Sequence, residues 1–277
     1  MEKIDAHQHY WHPMRGDYDW MPMDNATLAR PYHPADLAAL LDRHNISRTV
    51  LVQAAATVME TEYMLGIADA TPSVAAVVGW IDFEKPDDRE HLERLARHPK
   101  FAGVRPMIQE IPDDDWMMRE DVQWAYRALI DLDLTFDALG FPRHFQNFHT
   151  ILTRYPELRV VVDHCMKPQI RNHSEENFAH WAAGMKRIAE YTPACCKLSG
   201  IVTESDGWSV EKLKPYADHV LEVFGADRVM WGSDWPVCQI EASYDDWRVA
   251  SEALTEHLTV AEKEAVFGGT AKRFYRL

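Results

Sequence analysis

Short runs of apolar, largely β-branched residues recur along the chain, separated by longer segments with helical spacing. The runs cover residues 4–9, 47–53, 74–80, 101–106, 134–139, 158–164, 195–200 and 228–234, and the stretch 34–41 before the second run is amphipathic. Strand-sized runs alternating with helix-sized segments indicate βα units and a parallel sheet. Eight such units predict an α/β fold closed as a (β/α)8 TIM barrel. A doubly wound open sheet is the competing reading, but no G-x-G-x-x-G follows the first run. The 277 residues suit a barrel, which typically takes about 250. No composition shift, low-complexity tract or Gly/Ser-rich linker interrupts residues 1–277, so one domain is expected.

Two connections are conspicuous. Residues 12–34 form an aromatic, proline-containing loop after the first run, with Trp11, Tyr18, Trp20 and Tyr32 in or beside it. Residues 113–116 follow the fourth run and open a helix through an acidic first turn. Loops that follow strands surround the functional face of such a barrel. Both are candidates to cover a site, or simply to pack down.

Composition narrows the partners. The chain is 47% apolar and 26% charged, as in ordinary globular proteins, and its formal net charge of −15 argues against nucleic-acid backbones and anionic membranes. Cys165, Cys195, Cys196 and Cys238 have neither zinc-ribbon nor C-x-x-C spacing, and free thiols in a reducing cytosol are expected. The chain enters its first strand without a basic and apolar leader, and the apolar stretch 74–81 is too short to span a bilayer. A cytoplasmic protein acting on a small molecule is expected, with a homo-oligomer left open.

Polar residues gather at the C-terminal ends of the runs. They are His7 and His9 on the first, Gln53 on the second, Asp82 past the third and Arg105 on the fourth. Asp137, His164, Lys197 with Ser199, and Asp234 follow on the fifth to eighth. Parallel strands buried on both faces should be nearly continuous apolar sequence, so ionisable groups at one end of eight strands imply a polar site. His7 and His9, two apart on a strand, point to one face. With His164 and Asp234 they offer ligands for Zn²⁺ or Mn²⁺, which would acidify a bound water and polarise a carbonyl. The same residues could act without metal, Asp234 as general base and the histidines with Arg105 polarising the carbonyl. Arg105 and Lys197 would hold an anion, or else form salt bridges to Asp137 or Asp82. His144 either reaches substrate or lies on a helix surface. Trp80 and Trp235 either stack on a sugar-like ring or pack in the core.

The stretches Ile4-Asp5-Ala6-His7-Gln8-His9, Gly79-Trp80-Ile81-Asp82, Gly103-Val104-Arg105, Asp163-His164, Cys196-Lys197-Leu198-Ser199-Gly200 and Gly232-Ser233-Asp234-Trp235-Pro236 resemble the amidohydrolase superfamily. The resemblance is to its amidohydrolase-2 branch of sugar-acid lactonases and covers essentially the whole chain. It implies a distorted (β/α)8 barrel and hydrolysis of a sugar-derived lactone to its aldonic acid. It assigns the core to His7, His9, His164 and Asp234, with Asp234 activating water and passing its proton to the leaving oxygen. Gln53, Trp80, Asp82, Asp137, His144, Lys197 and Trp235 are the expected substrate contacts. Asp137 and Arg105 stand where binuclear relatives carry histidine and lysine, so one divalent metal, zinc first, or none is expected. Met166 replaces the usual glycine of Asp-His-x-Gly-Lys-Pro, and Pro106 replaces a common histidine. A mononuclear metal-dependent decarboxylase or hydratase of an acidic ring-cleavage product is the alternative activity. A sugar-acid binding protein without catalysis is a further one.

Overall fold

The computed structural model describes residues 2–277. Eight strands form one parallel sheet in chain order: β1 Lys3–Gln8, β2 Ile46–Val52, β3 Val74–Gly79, β4 Phe101–Val104, β5 Thr135–Ala138, β6 Arg159–Val162, β7 Cys195–Leu198 and β8 Val229–Trp231. The sheet closes where Gln8 bridges Trp235 in parallel, with Asp234 N–H donating to His7 O at 2.8 Å and His9 N–H to Trp235 O at 2.7 Å. The fold is the expected (β/α)8 barrel. Its strands stop one to three residues before the apolar runs do, because His9, Arg105, His164, Ser199 and Asp234 turn out of the ladders to ring the mouth.

Helices α1 Pro34–His44, α2 Val58–Ala70, α3 Arg89–Leu95, α4 Gln123–Asp131, α5 Phe145–Arg154, α6 Glu175–Tyr191, α7 Val210–Phe224 and α8 Tyr244–Leu254 surround the strands. Helices α9 Val260–Glu264 and α10 Thr270–Tyr275 complete the chain, joined by a π-helical turn over Ala265–Gly269. Thr57, Ser174, Ser209 and Ser243 start α2, α6, α7 and α8, each hydroxyl accepting a first-turn N–H that the helix itself leaves unpaired. No helix among the described residues is long and apolar enough to cross a membrane.

Strand periodicity of two divides the apolar residues into two cores. Ile4, Ala6, Val50, Val52, Ala76, Val78, Val161 and Met230 fill the barrel, and Ala271 and Tyr275 of α10 close its lower end. Their neighbours Leu51, Val77, Phe136 and Trp231 point outward to the helices. The aromatic loop after β1 packs down: Trp11 Nε1 donates to Leu28 O at 3.1 Å, and Trp20 Nε1 to Ala54 O at 2.5 Å.

Strands β4 and β5 approach too closely for a side chain at Gly103. A Cβ there would lie 2.1 Å from Thr135 Oγ1 and 2.3 Å from its backbone oxygen. The backbone contact cannot relax by a rotamer change. Gly103→Ala should therefore lower stability by about 1–3 kcal/mol. Urea unfolding checks this, and a change within experimental error would contradict it.

Candidate active site

The barrel's closure brings chemistry from both ends of the chain to one point. Asp234 Oδ1 lies 3.3 Å from His9 Nε2, 3.7 Å from His7 Nε2 and 3.8 Å from His164 Nε2. All four side chains are at least nine-tenths buried. Asp234 and His164 have φ of +56° and +51°, and Cys165, Met166 and Lys167 continue the left-handed stretch. Met166 adopts φ +58° while fully buried. A non-glycine residue in this region costs of order 1–3 kcal/mol. Gly200 opposite cannot carry a side chain, because its Cβ would stand 2.5 Å from His164 Nδ1.

Each imidazole is held from behind. His9 Nδ1 is 2.7 Å from Val52 O, an acceptor only, so that nitrogen carries the proton and Nε2 keeps its lone pair. His164 Nδ1 meets Ser199 Oγ at 2.9 Å. His7 Nδ1 faces Lys197 Nζ at 3.1 Å and Asp163 Oδ1 at 3.6 Å. Burial lowers the basicity of all three rings, with Lys197 adding to the effect on His7; His164 falls to about 4. They are neutral at pH 7, the form that binds metals. Burial alone would raise the Asp234 carboxyl, but His164, His9 and His7 together outweigh it and hold the group below the ordinary carboxylate range.

The lone pair of His9 Nε2 thus faces a carboxylate oxygen, an arrangement that calls for a cation or a proton between them. His7 Nε2 and His9 Nε2 are 3.2 Å apart. With the distances to Asp234 given above, this approximates the edges of a tetrahedron with metal–ligand bonds near 2.0–2.2 Å, which are about 3.3–3.6 Å long. His7, His9 and Asp234 therefore fit one divalent ion. His7, Asp163 and His164 also cluster, but Asp163 Oδ1 already has the Lys197 ammonium at 3.0 Å.

Beneath this point lies a buried charge network. Lys197 Nζ bridges Asp137 Oδ2 at 2.5 Å and Asp163 Oδ1 at 3.0 Å, and Tyr275 OH donates to Asp137 Oδ2 at 2.7 Å. Burial lifts Asp137 to about 6 against the pull of Lys197. For Asp163, Lys197 and His7 outweigh burial, and its carboxyl stays well below the usual range. Arg105 Nη1 reaches His7 Nε2 at 3.3 Å and Asp163 Oδ2 at 3.4 Å, while its Nη2 donates to Gln53 O. Gln53 Nε2 returns a bond to Arg105 O at 2.6 Å.

A cavity of about 150 Å³ opens above, bordered by His9, Arg105, His164 and Asp234. The other expected contacts are distributed differently. Gln53, Asp137 and Lys197 are wholly buried behind the histidines and Arg105. Trp80 and Asp82 border a neighbouring cleft of about 360 Å³ with Phe83 and Trp116. Trp235 is buried against Tyr10 and Tyr32, at ring separations of 6.0 and 5.0 Å. His144 is buried, its Nδ1 accepting from Phe141 N–H at 3.0 Å and its Nε2 3.2 Å from Asp114.

The loop after β1, expected either to cover a site or to pack down, supplies Trp11 and Trp20 as cavity walls, whereas the walls Glu110 and Lys167 and the supports Asp163, Asp5 and Tyr275 were not singled out from sequence. Asp5 Oδ1 accepts the N–H of Ser233 at 2.8 Å and of His7 at 3.2 Å, tying β1 to the segment bearing Asp234. Asp163 could have been found as an acid ending the run Val160-Val161-Val162. Tyr275 carries no such signal.

An acid, neutral imidazoles and a guanidinium around a small cavity suit addition of water to a polarised carbonyl. A family model described as amidohydrolase matches residues 4–277. The L-fucono-1,5-lactonase of Burkholderia ambifaria is 40% identical over 280 residues, spanning 99% of this chain and 96% of that protein. The L-fucono-1,5-lactonase of Burkholderia multivorans is 34% identical over 290 residues, spanning 99% and 96%. A crystal structure of an amidohydrolase from Burkholderia multivorans with bound zinc superposes with a TM-score of 0.94 at 34% identity, covering 100% of both chains. The chain belongs to the amidohydrolase family.

Removing Lys197 would leave two buried carboxylates facing one another. Lys197→Met should cost about 3–5 kcal/mol of stability. Chemical denaturation reads this directly, and a loss below about 1 kcal/mol would contradict the network's importance.

Proposed function

We propose that this enzyme is a sugar-acid lactonase that opens an L-fucono-1,5-lactone or a closely related aldonolactone to its aldonic acid. The observation that carries the reading is Asp234 Oδ1 ringed by three imidazole nitrogens within 3.8 Å. The identity to two L-fucono-1,5-lactonases supports the substrate class. Asp234, ionised at neutral pH, accepts the proton of the attacking water and returns it to the ring oxygen as the ester bond breaks. Arg105 has a buried Nε without an acceptor among the described residues and places positive charge where the carbonyl oxygen becomes an oxyanion. His164, oriented by Ser199, borders the same cavity. Trp11 and Trp20 provide aromatic walls for a sugar ring, and Met107, Leu139 and Val237 an apolar corner that suits the methyl group of a 6-deoxy sugar.

His7, His9 and Asp234 would hold one zinc ion. Such an ion supplies a more acidic water and a polarised carbonyl. His9→Ala removes a nitrogen whose lone pair is committed to the site. Metal analysis after zinc loading and dialysis should find about one equivalent in the parent protein and far less in His9→Ala. About two equivalents, or equal retention by both proteins, would contradict the proposed ligands.

The reaction itself is tested by following acid release from a panel of aldonolactones. L-fucono-1,5-lactone should be among the best substrates, and Asp234→Asn should lower kcat by roughly a thousandfold or more. A variant that retains near-normal turnover would remove Asp234 from its role. Carbon dioxide release from an acidic ring-cleavage product, with no lactone turnover, would favour a decarboxylase instead.

A further inference from the structure

At the opposite end of the barrel from the histidines, Lys3, Arg248 and Lys263 border a separate cavity of about 230 Å³ with Glu252, Thr255 and Phe267. Lys3 begins β1, Arg248 lies on α8 and Lys263 on the next helix, α9, so the first strand and two consecutive helices contribute one cation each. We propose that this cavity is a binding site for a small phosphate-class oxyanion, free or esterified to a small metabolite.

Arg248 is the decisive residue. It is only 2% exposed, and its Nη1 meets no hydrogen-bond acceptor among the described residues. Its guanidinium lies over the Phe267 ring at 4.1 Å and near Trp231 at 5.2 Å, while Nη2 pairs with Glu252 Oε1 at 2.9 Å. The Phe267 ring and the Glu252 pair together hold the guanidinium in place. A buried guanidinium N–H without an acceptor is costly unless something completes it. The guanidinium carries a charge that Glu252 alone offsets, and an oxyanion in the cavity it borders would balance the remaining cations, with the planar fork suited to charge-assisted bonds.

The two ammonium groups agree with this. Lys3 Nζ donates to His44 O at 3.2 Å, and Lys263 Nζ to Glu256 O at 3.0 Å, with donors to spare. Neither has a carboxylate within 4.0 Å among the described residues, where many surface cations of this chain do. Glu252 is the one carboxylate bordering the cavity. Asp5, the next acid sensed by Arg248, is already committed to Ser233, His7 and Tyr244. Three positive charges face one negative charge in a protein of net charge −15. That excess matches a dianion. The volume also leaves room for bridging water, which takes about 30 Å³ per molecule.

Calorimetry with inorganic phosphate, at constant ionic strength against chloride, tests the site on the intact protein. Saturable binding and a melting temperature raised by ~3 °C or more are expected. The double variant Lys3→Gln, Lys263→Gln should weaken binding at least tenfold, with lactone hydrolysis unchanged. If that variant fails to fold, Lys263→Gln alone on the short surface helix α9 should weaken binding several-fold. A parallel titration with glycerol 3-phosphate separates the sources: tighter binding than phosphate indicates a monoester, equal binding the free ion. Absence of saturable phosphate binding overturns the assignment. So does binding that survives the substitutions unchanged and inhibits hydrolysis competitively, since the anion would then sit in the barrel mouth.

Discussion

Closure of β8 onto β1 is the constraint on which the rest of this structure depends. Two backbone hydrogen bonds and the carboxylate of Asp5 join the first strand to the segment after the last. A sheet of eight parallel strands has no free edge once those bonds form, and its polar strand ends face one another around a small mouth. His7 and His9 then meet Asp234, carried by the short segment that follows β8. The geometry of the site thus depends on the same backbone bonds that close the barrel.

Charge inside the barrel is arranged with the same economy. Lys197 sits between Asp137 and Asp163, and its ammonium also faces the rear nitrogen of His7. Isolated, each of these groups would be expensive to bury; together they neutralise one another and orient the imidazole. The front of the site shows the opposite arrangement. There the Asp234 carboxylate oxygen and the lone pair of His9 Nε2 face each other without a proton between them, and that incompleteness at the mouth, over a paired network below, distinguishes the cavity-facing layer from the supporting one.

Much of this was legible in the sequence, for physical reasons. Eight apolar runs alternating with helical spacing determine a closed α/β barrel, because buried parallel strands tolerate few polar residues. For the same reason His7, His9, Arg105, His164 and Asp234 stood out. Less legible was depth along the strands. Asp137 and Lys197 occupy similar positions in their runs to the mouth residues, yet lie one layer lower and touch each other instead of the cavity. Trp80 and Asp82 lead away into a neighbouring cleft, because β3 ends at Gly79 and the chain turns outward there. Trp235 is drawn into the core by Tyr10 and Tyr32, partners that no local pattern announces. The walls Trp11, Trp20, Glu110 and Lys167 come from loops, whose course depends on tertiary contacts rather than on periodicity.

Tyr275, on α10, donates its hydroxyl to Asp137 at the base of the charge network. Chains emerge from the ribosome amino end first. His7 and His9 are therefore made before Asp234 and Tyr275. A nascent chain carries two of the proposed metal ligands before it carries the third and the hydroxyl that supports the network below. The order of synthesis thus delays assembly of the site until β8 has emerged and the barrel has shut.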